Sequence, residues 1–513
     1  MAVRGLLVVF LNCALTWSVG ELGAQSVLRI TPSNGVVVVS WTNAPANVRL
    51  QQSASLAAPR WDTTPDQPRT LGDESQVAIP ITENERFYRL ATPLNHVLVV
   101  GQSLAMGAYA DAILSTNQPF LNRMFVGQRL DGGLPGLLPD DLSALAPLVE
   151  RWDPTQQGGE TIASGFANWI SSRVGVGVHD LLVSNTARGS ATYAQLQRIP
   201  AGSPLQAPTG TDPYLRTLEQ VEAAKGLLQD SGYLFRAIFA VHGEGDLFNS
   251  AYDLDIRQWQ EDYEADIHGG TGQTNAIPMF HSQISTWGKI DYNWPRYSPF
   301  KVLTEFELNP SKTVLVCPKY MLPYLADAIH VTNIGYRWLG EYYAKAYYHH
   351  VILGESWSPL RPVEVTRTNT VITITFAGVV GRLVFDTNAV ANPQGTIFDR
   401  HGSPVGDVAF AKVGPYGFEY CDEVGAGAPW SCSTYVASVS LMSSNRVAIT
   451  LNQEPAGARR FIRYAYTALD VADGGQSGPL LGPRGCLRDT DPTPSICGNT
   501  LYNWCVHFDK ACP

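Results

Sequence analysis

The central part of the chain alternates short apolar runs with helical stretches. The runs are apolar almost throughout, as strands are when both faces of a parallel sheet are covered. Five such runs occur: HVLVVG at 96–101, HDLLVSN at 179–185, FRAIFAVHG at 235–243, IPMFHSQIS at 277–285 and TVLVCPKY at 313–320. Residues 214–230 carry apolar side chains at helical spacing between the second and third runs. The alternation predicts a three-layer α/β/α domain over residues 93–353.

Shorter strand-like runs flank this central part on both sides. Residues 26–92 alternate apolar and polar side chains between turn residues, which predicts a small β-sandwich. Residues 354–513 return to this pattern and end in a Cys-rich tail, which predicts a second β-sandwich. The strand-like runs of this second region lie at 371–378, 382–386, 408–413, 436–441, 446–451 and 461–466.

The first 25 residues have the pattern of a secretory signal peptide. Arg4 supplies a basic start, residues 5–16 form an apolar run, and Leu22-Gly23-Ala24 offers a small residue for cleavage. We therefore predict that the protein is secreted or periplasmic. No other apolar run approaches the roughly 20 residues that cross a bilayer, so we predict no membrane span.

Cysteines are concentrated in the C-terminal region. An even set of cysteines in an exported chain favours disulfides, here three, although the sequence does not choose the pairing. The six cysteines are Cys421, Cys432, Cys486, Cys497, Cys505 and Cys512. A zinc site is the alternative, but no CxxC motif occurs and His507 is the only histidine nearby. Cys317 follows the apolar run TVLV and is interpreted as a buried strand thiol.

The charge balance and the missing motifs exclude several functional classes. The chain has 36 basic and 46 acidic residues, for a formal net charge of −10, which argues against a surface that binds nucleic acid. It contains no P-loop, no GxGxxG motif and no HExxH motif. The common nucleotide-binding and zinc-protease interpretations are therefore not supported.

The first candidate site residue is Ser103, which directly follows the first apolar run within Gly101-Gln102-Ser103-Leu104-Ala105-Met106-Gly107. Ligands of open α/β sheets bind beyond the carboxyl ends of the strands. Glycines on both sides permit a tight turn that presents the hydroxyl at the rim of the sheet. Ser103 is therefore a candidate nucleophile, and a helix N-cap is the alternative role for a serine in this position.

The second candidate is the pair formed by Asp327 and His330, in Asp327-Ala328-Ile329-His330. A carboxylate three residues before a histidine can fix the tautomer of the ring and leave the other nitrogen free to take a proton. The alternative is a surface Asp and His in a loop that enters a helix. No other histidine of the chain lies in a DxxH motif.

Two further strand ends carry possible oxyanion donors. Gly189, in Ala187-Arg188-Gly189-Ser190, can bring a backbone N–H close to a substrate oxygen. His242, in Val241-His242-Gly243-Glu244-Gly245-Asp246, can offer a ring N–H. The alternatives are an ordinary turn glycine and a buried structural histidine.

These motifs, taken in order, resemble those of a known family. Gly-Gln-Ser-x-x-Met-Gly, a turn glycine, His-Gly-Glu-x-Asp and Asp-x-x-His resemble the SGNH (GDSL-like) hydrolases, and especially the sialate O-acetylesterase-like carbohydrate esterases. The resemblance covers about half of the chain. It implies a flavodoxin-like α/β/α fold and ester hydrolysis by Ser103, His330 and Asp327. It also implies oxyanion donors from the N–H groups of Ser103 and Gly189 and from the side chain at position 242.

The chain departs from the family pattern at one of these positions. Relatives usually carry Asn or Gln where this chain has His242, and a neutral imidazole donates from only one nitrogen. The chain also lacks the GxSxG motif, which argues against an α/β-hydrolase with a nucleophile elbow.

The sequence therefore predicts a secreted serine esterase that removes short acyl groups, most simply acetyl, from carbohydrate hydroxyls. Gln102, Glu244 and Gln283 are candidate substrate-binding residues, and the mechanism needs no metal or organic cofactor. The expected partner is an acylated carbohydrate or another small ester, with no nucleic acid; the oligomeric state is left open.

Three other functions are the alternatives. The first is a lipase-like or aryl esterase of the same fold. The second is a non-catalytic carbohydrate-binding or adhesion protein with a relic hydrolase domain. The third is a glycosidase that uses Glu160 and Glu244 as its two carboxylates.

Overall fold

The structure is a computed structural model that describes most of the chain. It describes residues 27–33, 35–42, 48–54, 62–64, 68–81, 86–91, 93–126, 141–152, 157–199, 212–228, 232–286, 297–393, 395–396, 412–423, 434–468 and 477–513. The predicted signal peptide over 1–25 and Cys432 lie outside these residues. Over the described ranges, none of the helices combines the length and the apolar character that crossing a bilayer requires.

The N-terminal region consists of two antiparallel sheets. Its strands are β1 (Val27–Ser33), β2 (Val36–Thr42), β3 (Arg49–Ser53), β4 (Asp62–Thr63), β5 (Arg69–Leu71), β6 (Glu74–Pro80) and β7 (Phe87–Ala91). One sheet has the order β1-β2-β6-β5 and the other the order β4-β3-β7. Leu50 of β3 packs in one apolar cluster with Val39 and Trp41 of β2 and Val77 of β6, so both sheets contribute to this core.

The central region is a seven-stranded sheet with helices, and it confirms the predicted α/β class. Its strands are β8 (Leu94–Gly101), β9 (Arg123–Phe125), β10 (Leu145–Pro147), β11 (Leu181–Asn185), β12 (Tyr233–Val241), β13 (Met279–His281) and β14 (Thr313–Leu315). Its helices are α1 (Ile162–Val174), α2 (Tyr193–Leu196), α3 (Pro213–Leu227), α4 (Tyr252–Thr271), α5 (Ser298–Leu308) and α6 (Asn333–Tyr347). All five apolar runs of the sequence contain a strand of this sheet.

The strand order of the central sheet locates its ligand-binding edge. The order is β10-β9-β11-β8-β12-β13-β14, and β11, β8, β12, β13 and β14 run parallel. After β8, the chain therefore adds β9, β10 and β11 on one side of β8. It later adds β12, β13 and β14 on the other side. Because crossovers are right-handed, this reversal places α1 on the opposite face from α3, α4 and α5, and α6 packs against α1. A crevice for ligands is expected at the carboxyl ends of β8 and β12, where the order reverses.

In the described residues, the C-terminal region consists of antiparallel strands with one short α-helix and a 3₁₀ helix at Pro415–Gly417. Its strands are β15 (Arg361–Thr368), β16 (Val371–Ala377), β17 (Val384–Phe385), β18 (Gly395–Thr396), β19 (Lys412–Val413), β20 (Phe418–Glu423), β21 (Val436–Ser443), β22 (Arg446–Leu451), β23 (Arg459–Tyr464), β24 (Leu487–Arg488) and β25 (Phe508–Ala511). The larger sheets have the orders β15-β16-β22-β21 and β20-β23-β25, and α7 spans Gly478–Leu481. The run predicted at 408–413 is described only from residue 412, where β19 begins.

The C-terminal region shares its hydrophobic core with the central sheet. One buried apolar cluster runs from the strands of that sheet to Leu487, Val506 and Phe508. The Lys345 ammonium of α6 is also buried against this region, where it donates to Leu501 O at 2.6 Å and contacts Asp491 Oδ2 at 2.8 Å. The type of secondary structure thus changes near residue 354. The residues before and after this position nevertheless share one apolar core and one buried ion pair.

The structure does not contain the predicted set of three disulfides. Cys486, Cys497, Cys505 and Cys512 are free thiols, so no disulfide joins any of these four described cysteines. The thiols of Cys486 and Cys505 contact main-chain carbonyls, those of Val390 and Val506. At most one of the three predicted bonds remains, because the only other predicted partner of Cys421 is Cys432, outside the described residues. An even cysteine count permits pairing, but Cys486, Cys505 and Cys512 are packed as parts of the hydrophobic core.

Candidate active site

Ser103 lies at the point where the strand order reverses. β8 ends at Gly101, whose φ of +133° lies in the region that favours glycine. A Cβ on Gly101 would come within 2.2 Å of Val241 O on β12, so only glycine permits this approach. The N–H of Gln102 then donates to the same oxygen, and a helical turn follows, in which Ala105 N donates to Gln102 O. The glycine therefore brings Ser103 to the rim between β8 and β12.

Asp327 and His330 reach Ser103 from a loop that precedes α6. His330 Nε2 lies 2.8 Å from Ser103 Oγ, and His330 Nδ1 lies 2.6 Å from Asp327 Oδ2. The loop is closed at its base by a bridge between Tyr324 and Val331. The structure thus brings together three side chains that are separated by up to 227 positions in the sequence.

The environment of Asp327 favours its ionised form. Partial burial alone would raise its pKa. The backbone N–H groups of Ile329 and His330 both donate to Asp327 Oδ1 at 3.0 Å, and together with the His330 ring they hold the pKa of Asp327 below its usual value. A carboxylate at Nδ1 places the proton of the neutral imidazole on that nitrogen. His330 Nε2 is then the acceptor for the Ser103 hydroxyl.

Gly189 lies beside the Ser103 turn. Arg188 N donates to Gly101 O at 3.0 Å, and a Cβ on Gly189 would lie 3.6 Å from Met106 Sδ. Among the described residues, the backbone N–H groups of Ser103 and Gly189 have no hydrogen-bond acceptor. The Ser103 turn and the neighbouring loop after β11 therefore each carry one N–H donor without a partner among the described residues.

His242 does not offer the predicted oxyanion donor. Its ring is fully buried, and burial lowers the pKa of His242, so the ring is neutral. The Tyr252 hydroxyl lies 2.6 Å from Nδ1, and Ala191 O lies 3.1 Å from Nε2. A neutral ring that accepts from Tyr252 and donates to Ala191 has no N–H left for a substrate. His242 thus corresponds to the structural alternative: it ties the loop that follows Gly189 to β12.

Gln102 and Glu244 make contacts that hold the loops together. Gln102 is almost completely buried, and its amide oxygen accepts from Gly245 N at 3.0 Å, which joins the Ser103 turn to the loop after β12. Glu244 forms an ion pair with Lys319, whose side chain is completely buried. Lys319 was not predicted as a site residue, although a lysine at the end of the apolar run TVLVCPKY indicates a buried partner of opposite charge.

Gln283 is not at the site, and its predicted role in substrate binding is wrong. The residue is completely buried, and its amide nitrogen donates to Pro299 O at 2.8 Å and to His507 O at 3.0 Å. Its amide oxygen accepts from His507 N at 2.8 Å. All of these groups belong to the protein, so Gln283 joins the end of β13 to the C-terminal region.

The two glutamates of the glycosidase alternative are both bound by protein groups. Glu160 is completely buried, and Glu160 Oε2 accepts from the N–H groups of Leu114 and Ser115 at 2.8 and 3.0 Å. Glu244 is paired with Lys319. Both carboxylates are held by groups of the protein, so the structure offers no support for that alternative.

Glu150, a buried neighbour of Glu160, leads to a prediction about pH. Burial first, and then the charge of Glu160, raise the pKa of Glu150 to about 8. The folded protein therefore holds a proton that the unfolded chain releases near pH 4.5, so this residue lowers stability as the pH rises from about 4.5 to 8. We expect Glu150→Gln to raise the melting temperature relative to wild type by several degrees more at pH 8 than at pH 5.

Thermal denaturation between pH 5 and pH 9 measures this difference. Glutamine keeps the oxygen that accepts from Thr161 Oγ1 and Ser164 N, so the variant should fold. The exposed Glu219→Gln is the matched control and should follow the wild-type curve. A constant difference between Glu150→Gln and wild type across this range would contradict the prediction.

Comparison with known proteins gives similar solved structures but no family assignment. No family model matches the chain, and no curated protein matches it. A carbohydrate acetylesterase from Xanthomonas citri is 14% identical, with a TM-score of 0.46 over 88% of this chain and 95% of that one. A protein from Arabidopsis thaliana is 20% identical, with a TM-score of 0.36 over 50% of this chain and 98% of its own.

A third similar structure is NanS, which is 16% identical, with a TM-score of 0.34 over 49% of this chain and 96% of its own. Likeness at these identities and TM-scores does not assign an activity.

Proposed function

We propose that the protein is a secreted serine esterase that removes short acyl groups, most simply acetyl, from carbohydrate hydroxyls. The observation that carries the proposal is the hydrogen-bonded series Ser103, His330 and Asp327 at the carboxyl edge of the central sheet. A serine hydroxyl is a weak nucleophile unless an adjacent base takes its proton, and this geometry supplies the base and the group that orients it.

The proposed reaction begins with attack of Ser103 Oγ on the ester carbonyl carbon. His330 Nε2 takes the hydroxyl proton, and Asp327 stabilises the imidazolium that forms. In this scheme the N–H groups of Ser103 and Gly189 donate to the oxyanion of the tetrahedral intermediate, where one such donor contributes about 2.7–4 kcal/mol. The intermediate collapses, the C–O bond to the alcohol breaks, and His330 gives its proton to the leaving oxygen.

Water completes the cycle. His330 takes a proton from a water molecule, which attacks the acyl-Ser103 ester, and the carboxylic acid leaves as the proton returns to Ser103 Oγ. Every group that this scheme uses belongs to one of three loops that follow β8, β11 and β14. His242 enters only through the loop that it positions.

The carbohydrate part of the proposal is supported by the resemblance of the Gly-Gln-Ser and Asp-x-x-His motifs to sialate O-acetylesterase-like enzymes. Export is supported by the signal-peptide pattern of residues 1–25. The carbohydrate substrate and export are separate from the serine esterase chemistry, which is supported by the geometry of the site itself.

Covalent labelling with a fluorophosphonate tests the proposal. An activated serine displaces fluoride from phosphorus, so we expect stoichiometric labelling of the wild-type chain at Ser103, located by peptide mass spectrometry. Labelling should be absent in Ser103→Ala and much slower in His330→Ala. Acetate release from a panel of acetylated glycans and lipids then identifies the alcohol class. A folded wild-type protein that remains unlabelled would instead favour the non-catalytic binding protein.

A further inference from the structure

Tyr109 is an exposed aromatic residue in contact with His330. The two ring centroids lie 4.9 Å apart and the ring planes are inclined at 73°, which is an edge-to-face arrangement. Tyr109 remains 47% exposed. The ring therefore contacts the imidazole, while the residue as a whole stays exposed to solvent beside His330.

The backbone at Tyr109 is held in a conformation that a bulky residue rarely adopts. Its φ is +60°, in the left-handed region. The surrounding chain imposes this conformation: Tyr109 N donates to Gln157 O at 2.6 Å, Ala108 pairs with Gly158, and Gly159 approaches so closely that a Cβ there would lie 2.1 Å from Ala110 O. The ring is therefore presented by a constrained loop, where strain commonly accompanies function.

The direction of proton transfer shows which part of a substrate lies beside this ring. In the proposed reaction the leaving oxygen takes its proton from His330 Nε2, so the alcohol portion of the ester must lie next to His330. The carbonyl oxygen lies instead toward the N–H groups of Ser103 and Gly189. Tyr109 contacts the imidazole, so its open face adjoins the alcohol portion.

We propose that the Tyr109 ring is a platform for the alcohol portion of the ester and selects alcohols with a flat, partly apolar face, such as a pyranose ring. The proposal rests on the proposed esterase function and adds a residue that determines its substrate preference. An aromatic face left open to solvent gains apolar contact when a ring of this kind covers it. An acyclic alcohol such as ethanol gains much less.

Two acetyl esters that differ only in the alcohol provide the test. Ethyl acetate has no ring to cover Tyr109, and a mono-O-acetylated methyl pyranoside does. We expect Tyr109→Ala to lower the ratio of kcat/KM for the pyranoside to kcat/KM for ethyl acetate by roughly five- to tenfold, mainly through KM. Tyr109→Phe keeps the ring and should restore the wild-type ratio within twofold.

Two further variants keep the test interpretable. Asparagine adopts a positive φ readily, so Tyr109→Asn removes the ring without added backbone strain and should lower the ratio as Tyr109→Ala does. Leu441→Ala removes an exposed apolar side chain from β21, in the C-terminal sheet, and should leave the ratio unchanged. If Tyr109 only supports His330, its removal will lower kcat equally for both esters, and this outcome overturns the proposal.

The outcome also separates the platform from the esterase proposal. If hydrolysis of both esters persists in Ser103→Ala, or if wild type hydrolyses neither, the proposed function has failed. If hydrolysis depends on Ser103 and the ratio of the two esters is the same with and without the Tyr109 ring, only the platform has failed.

Discussion

We expect Ser103→Ala to lower kcat for hydrolysis of p-nitrophenyl acetate by about 10⁴- to 10⁶-fold, the range expected when a serine–histidine unit loses its nucleophile. The alanine variant keeps the backbone N–H groups but has no atom that can form the acyl-enzyme. The remaining rate is that of water attack on an ester held by the site. Steady-state kinetics at neutral pH measures the loss, and circular dichroism checks that the variant is folded.

His330→Ala should cause a loss of the same order, and the double variant should lose little more than either single variant. Nucleophile and base act as one unit, so removing the second adds almost nothing once the first is gone. Multiplied losses in the double variant would show instead that the two residues act independently. Turnover near the wild-type rate in either folded single variant would contradict the assignment.

A second histidine–carboxylate pair provides a matched control. His349 Nδ1 lies 2.6 Å from Glu355 Oε2, the same separation as in the pair of His330 and Asp327, but this pair is exposed, and among the described residues no serine hydroxyl lies at the other ring nitrogen. His349→Ala should therefore retain hydrolysis. The comparison separates loss of a histidine–carboxylate pair in general from loss of the one beside Ser103.

The sequence predicted a feature correctly where the local backbone or the local burial admits only one type of residue. The apolar runs located the five parallel strands because strands covered on both faces exclude charge. Gly101 is needed by the close approach of β8 to Val241, and Asp327 reaches His330 through a short loop, so both motifs are visible within a few residues. Local patterns of this kind placed the three side chains at strand ends, from which the topology brings them together.

Features that depend on distant partners could not be predicted in the same way. The role of His242 is decided by the Tyr252 hydroxyl and by Ala191 O, 51 positions away, and not by its own motif. Gln283 donates to the main-chain oxygen of His507, which lies 224 positions later in the chain. The prediction of three disulfides failed for a similar reason, because the number of cysteines does not indicate the surroundings in which each thiol is packed.

Helices were the least visible elements of the central region. A helix was predicted over residues 214–230, where the structure has α3 at Pro213–Leu227, whereas α1, α4 and α5 were not singled out. α1 is buried along most of its length, so it lacks the polar face that marks an amphipathic helix. α1 instead packs closely against α6 through one glycine on each helix. The role of these glycines cannot be recognised until the contact between α1 and α6 is known.

Gly165 of α1 and Gly340 of α6 lie where these two helices cross. A Cβ on Gly340 would come within 2.2 Å of Ile162 O, and a Cβ on Gly165 would come within 2.3 Å of Arg337 O. Each helix thus packs directly against the backbone of the other, and neither contact can be relieved by rotating a side chain. α6 begins at Asn333, three residues after His330, so we expect the crossing to affect where the His330 loop is held relative to Ser103.

Gly340→Ala should therefore reduce both stability and activity. Overpacking costs about 1–3 kcal/mol or more, and a contact between two backbones lies at the upper end, so we expect the melting temperature to fall by roughly 6 °C or more. Separation of the helices displaces His330 from Ser103, so kcat should fall by about tenfold or more even well below the melting temperature. Thermal denaturation and kinetics on the same preparation measure the two effects.

Gly226→Ala on α3 is the matched control: nothing lies within 4 Å of its added Cβ, and the loss of a helical glycine should raise stability by up to about 1 kcal/mol. A Gly340→Ala variant as stable and as active as Gly226→Ala would show that the α1–α6 crossing does not hold the His330 loop in place.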